Sequence, residues 1–87
     1  MPPVPGERIT VAALLGGCAT LLSGTVRGIA RAPTGVGEWM EVDIPTLRPA
    51  QSHTYTLNYE GISWIRGQHA LGSAEADALL AAYALIL

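Results

Sequence analysis

One stretch, His53 to Arg66 with the sequence HTYTLNYEGISWIR, constrains the fold of this chain more than any other. His53, Tyr55, Leu57 and Tyr59 alternate with Thr54, Thr56 and Asn58, the period-two pattern of a strand with one face buried. After a break at Glu60-Gly61, a second run of β-formers follows in Ile62, Ser63, Trp64 and Ile65. The pattern predicts a β-hairpin at the centre of the fold, with Tyr55 and Leu57 facing the core.

A chain of 87 residues makes one domain with a small core, because at this size only roughly 60 to 65% of the unfolded surface leaves water. The domain is expected to run from residue 9 to 87, preceded by an arm at 1 to 8. MPPVPGER has three prolines and a glycine, so it reads as an extended segment, neither helix nor central strand.

From Ile9 to Leu22 the chain is uncharged and rich in Ala and Leu, with Thr10 placed to cap a helix starting at Val11. Gly16-Gly17 would cost that helix about 1 kcal/mol per glycine relative to alanine. The competing reading is a strand pair, Ile9 to Leu14 and Ala19 to Leu22, turning at the two glycines. Thr25, Arg27, Ile29 and Arg31 then alternate with Val26, Gly28, Ala30 and Ala32, predicting a strand with small apolar residues inward and arginines outward. Turn chemistry occupies 33 to 37. A second strand follows with Met40, Val42 and Ile44 inward, and Trp39, Glu41 and Asp43 outward. Pro45 and Pro49 bracket a loop, and Ser73 caps a helix with Glu75 and Asp77 in its first turn.

The fold expected is therefore α+β: a small, four-stranded, mainly antiparallel sheet (25 to 32, 38 to 44, 53 to 59, 62 to 67), with a C-terminal helix and an N-terminal helix on one face. Connections of about 2 to 9 residues are too short for parallel crossovers.

The residue types that carry chemistry are few and scattered. Cys18, His53 and His69 have no HxH, HxxxH or CxxC spacing, so they read as structural or incidental, with Cys18 a small buried hydrophobe. No catalytic residue, metal ligand or cofactor-binding residue is assigned, and the glycines match no phosphate loop. A net charge of −2 without blocks of like sign argues against duplex nucleic acid and against an anionic membrane. Leu15-Gly16-Gly17-Cys18 looks like a lipobox, but the apolar run ahead of Cys18 is only about seven residues long, at the short limit for a signal segment. One cysteine permits a reducing compartment, so a cytoplasmic location is the expectation.

Charged residues make up 14% of the chain, against roughly 25% in an ordinary soluble domain. The C-terminal helix is also apolar on every side after Asp77. Ala76, Leu79, Leu80, Tyr83 and Leu87 form one stripe, which leaves Ala78, Ala81, Ala82 and Leu85 on the opposite face and Ile86 at its edge. These five residues, with the outward Trp39, form the candidate interface of a non-catalytic assembly subunit that self-associates or binds other proteins. A small-ligand or peptide-binding module is the alternative. A single-stranded nucleic-acid platform of Trp39, Tyr55, Tyr59, Trp64, Arg27 and Arg66 ranks below it, beside a lipid-anchored protein.

Overall fold

A computed structural model describes residues 1–31, 37–47 and 52–87. The residues from Ile9 to Leu22 form the central hairpin of the molecule, and no helix. Strand β1 (Arg8–Leu15) pairs antiparallel with β2 (Cys18–Arg31), with Leu15 opposite Cys18 and Arg8 opposite Thr25. The chain reverses at Gly16-Gly17, whose φ angles of 57° and 81° both lie in the left-handed region that a two-residue turn of the primed type needs. The glycines that would have weakened a helix are thus what makes the hairpin. β3 (Glu38–Asp43) pairs with β2, β4 (Ser52–Thr56) pairs with β3, and β5 (Trp64–Arg66) returns to pair with β1. Among the described residues the sheet is five-stranded and antiparallel, in the order β4-β3-β2-β1-β5, with one C-terminal helix, α1 (Ala74–Ala84), against β1 and β2.

The predicted hairpin at His53–Arg66 is corrected by this order. β4 and β5 lie at opposite edges of the sheet, joined through a 3-10 turn at Leu57–Tyr59. Their closest link is not a ladder: the Trp64 indole Nε1 donates to Thr56 O at 2.9 Å, beside a single parallel bridge between Glu60 and Trp64. In a flat sheet the edge strands would stand roughly 19 Å apart, so this bond requires the sheet to curl until its edges nearly meet. The core agrees, because Ile9 and Val11 of β1, Val26 of β2, Met40 and Val42 of β3, Ile44 just after β3, and Trp64 of β5 form one buried cluster, with Tyr55 and Leu57 packed against it.

Two features of β2 permit the curl. A straight strand of 14 residues would be roughly 46 Å long, yet the molecule's longest dimension is 36 Å. The register slips between Val26 and Gly28, a bulge that bends and twists the strand. The bulge also moves Ile29 opposite Met40, which breaks the simple in-and-out alternation expected of Gly24 to Ala32. At Gly24 a Cβ would lie 2.5 Å from Val42 Cγ1, so the absence of a side chain lets β3 close over β2.

Several expectations stand as drawn. Met40, Val42 and Ile44 are buried, and Ser73 caps α1 by accepting from Ala76 N at 3.1 Å. Beyond these expectations, Arg27 lies 3.6 Å from Asp43, whereas Arg31 pairs at 2.7 Å with Glu38 and not with Glu41 or Asp43; both are exposed cross-strand pairs worth ~0.2 to 1 kcal/mol each. The turn expected at 33 to 37 lies outside the described residues except for Gly37, whose φ is 81°, and inward Ala32 and the loop around Pro49 lie outside them too.

Candidate functional site: the N-terminal arm, its cleft and an uncovered helix face

The arm is not simply extended. Val4, Pro5, Gly6 and Glu7 make a tight turn in which Glu7 N donates to Val4 O at 3.0 Å, with Pro5 preset for the second position and Gly6 at φ 90° in the third. The Glu7 carboxylate closes the turn by accepting from Val4 N at 3.1 Å. On the body side of the turn the backbone docks on β2: Gly6 N donates to Val26 O at 2.8 Å and Val26 N donates to Glu7 O at 2.9 Å. On the other side Met1-Pro2-Pro3 runs back over the sheet's closing seam. Arg66 holds it there, donating from Nη2 to Met1 O while its Nε stands 3.5 Å from Glu7 Oε2.

Pro3 is buried, whereas Met1 and Pro2 are exposed. Between these three residues and Glu38, Leu57, Glu60 and Trp64 lies an open space of about 220 Å³. A larger open space of about 570 Å³ is lined by Arg31, Gly37, Glu38, Leu57 and Asn58. Glu38 and Leu57 border both, so the two form one cleft beside the 3-10 turn.

The candidate interface residues fall in two places. Ala78 and Ala81 on α1 are exposed, Ala82 is half-buried, and beyond the helix Leu85 is 87% and Ile86 51% exposed. Leu87, assigned to the inward stripe by its spacing, is 61% exposed instead, because the helix ends at Ala84 and the chain leaves its axis in a tighter turn. There Leu85 N donates to Ala82 O and Ile86 N to Tyr83 O. Trp39 is half-buried on β3, opposite Thr56 and Ala30 and on the reverse side from Met40. Since α1 contacts β1 and β2, Trp39 and the helix residues belong to different parts of the surface.

Leu14, 51% exposed, and Leu15, 39% exposed, escaped the sequence reading because a helix would have buried part of that run. The same correction applies to Cys18, which is exposed beside the hairpin turn and not buried. His53 sits on β4 with Nε2 buried and unpartnered among the described residues. His69 lies after β5, where Nε2 donates to Arg66 O at 2.8 Å and its backbone N–H donates to Thr10 Oγ1 at 3.0 Å. These three residues are not brought together, and no group of three potential metal ligands occurs among the described residues. Burial, and secondarily Tyr83, pushes the Tyr55 hydroxyl up to about 12. Trp64 is fully buried and Tyr55 packs against the core, so neither offers a ring face for base stacking.

No known family, curated protein or solved structure matches this chain. Among the described residues no helix is long and apolar enough to cross a membrane.

Proposed function

We propose that the chain is a non-catalytic assembly component that acts through protein–protein contact and self-associates through the outer face of α1 and the residues after it. The observation that carries this reading is the exposure of three consecutive large apolar residues, Leu85, Ile86 and Leu87, at 87%, 51% and 61%. They follow a helix on which Ala78 and Ala81 are also exposed, small side chains that let a second helix approach closely. Apolar surface of this kind on a chain with few charges is better accounted for by a partner than by water.

Burial of that face contributes ~2 to 4 kcal/mol per subunit at about 25 cal/mol per Å². Association costs at least ~4 kcal/mol in lost freedom, so a second surface must take part. The hairpin tip supplies one in Leu14 and Leu15, and Trp39 supplies another on β3.

Light scattering on a dilution series tests the reading. It expects a dimer or higher species at high micromolar concentration that dissociates on dilution, and a folded Leu85→Asp variant that is monomeric throughout. A wild-type chain that is monomeric at every concentration contradicts self-association.

A further inference from the structure

We propose that the cleft beside the 3-10 turn binds an extended proline-rich segment of another protein, carrying a Lys or Arg next to its prolines, and that the chain's own Met1-Pro2-Pro3 competes for that seat in cis. This surface is separate from the outer face of α1, so the proposal stands or falls independently of self-association.

The chemistry of the seat is displayed by what already sits in it. Pro2-Pro3 is a dipeptide with φ preset and no N–H to leave unsatisfied, so it docks at low conformational cost, and Pro3 is the arm residue that is buried there. The wall is apolar where the prolines lie, with Leu57 and the body of Trp64, and acidic at its margin, with Glu38 and Glu60. Glu38 is held by Arg31 at 2.7 Å. Glu60 is exposed and has no ion pair among the described residues, which leaves a negative charge beside a proline site. A cation flanking the prolines complements it.

The cleft is also longer than the arm. The space of about 220 Å³ beside Met1–Pro3 stays open, and the larger one beyond Glu38 and Leu57 extends it. The arm's hold is slight and separable. Met1 is 99% exposed, and the bonds of Gly6 and Glu7 to Val26 lie on the far side of the Pro5-Gly6 turn. Met1–Pro3 can therefore leave while the rest of the arm stays docked. A tethered occupant of this kind lowers the apparent affinity of a competing peptide by the fraction of time the seat is free.

The test is a titration of the full chain with a labelled peptide, Arg-Pro-Pro-Val-Pro-Arg, read by anisotropy and by the indole N–H resonance of Trp64. The wild-type chain should bind it weakly. Pro3→Asp, which expels the arm, should bind about tenfold tighter, the factor expected if the arm fills the seat nine-tenths of the time. Arg66→Gln, which removes the hold on Met1 O from the body side, should give a gain in the same direction and covers the case in which Pro3→Asp does not fold. Glu60→Lys should abolish the gain, and a peptide with alanines for prolines should not bind. Equal affinity of wild-type and arm-released chains overturns the proposal. So does binding that survives Glu60→Lys or loss of the prolines, or no binding to either released variant.

Discussion

Adding one methyl group at Gly24 should destabilise the fold, although Gly→Ala in an ordinary strand does the opposite. The position is buried on β2 opposite Ile9, and its φ is ordinary, so any penalty is steric. A Cβ would lie 2.5 Å from Val42 Cγ1 and 3.2 Å from Asp43 O. The first distance is about 1 Å short of the ~3.5 Å at which carbon atoms sit comfortably. Val42 cannot swing clear, being β-branched and fully buried, and the second neighbour is backbone. Overpacking of this kind costs ~1 to 3 kcal/mol, against a gain of ~0.4 to 1 kcal/mol from a stiffer unfolded chain. The net loss is ~1 to 2 kcal/mol, a fall in Tm of about 5 to 15 °C for a domain of this size. Denaturant unfolding of Gly24→Ala, Val42→Ala and the double variant measures it. The new methyl fills the space Val42 vacates, so the double variant should be more stable than the two single losses predict, by ~0.5 kcal/mol or more. A stabilised Gly24→Ala, or strict additivity, would refute the reasoning that Gly24 exists to let β3 close over β2.

Other perturbations test other parts of the fold. Tyr55 is raised from 10.0 to about 12 in the folded chain, so its contribution to stability is complete below pH 10 and is lost as pH rises toward 12; in Tyr55→Phe, denaturant midpoints should lose that part of the alkaline decline. Gly17→Ala puts a side chain at φ 81° and should cost ~1 to 2 kcal/mol, whereas Gly16→Asn should be nearly neutral in thermal melts, because Asn-Gly suits the same turn. Trp64→Phe removes the donor to Thr56 O and part of a fully buried ring, for a loss of ~2 to 4 kcal/mol in unfolding free energy.

The sequence made the inward residues of β3 and the capped start of α1 legible, because each depends on neighbours within a turn or a strand. Strand pairing was not legible in the same way. Alternation at His53 to Tyr59 marks a strand without naming its partner, and the short gap at Glu60-Gly61 favoured β4 pairing with β5 when β5 in fact returns to β1. What decides the matter is the Trp64 indole, a contact between sheet edges that no local pattern encodes. The run from Ile9 to Leu22 failed as a helix for a related reason. Its Ala and Leu content suits a helix, but Gly16-Gly17 turns the chain and β1 is covered on both sides, with Ile9 and Val11 buried on one face and Thr10 and Ala12 on the other. A strand buried on both faces shows no alternation. The cleft was invisible to sequence reading, since it joins an arm, a 3-10 turn and one end of β3 that lie far apart in the chain.

Site-specific crosslinking tests the proposed contact most directly. With a photoreactive residue in place of Ala81, irradiation of the purified chain at high micromolar concentration should give a crosslinked dimer whose bonds map to residues 78–87 of a second copy. Crosslinks confined within one chain, or between copies but away from the C-terminal helix, would contradict the account.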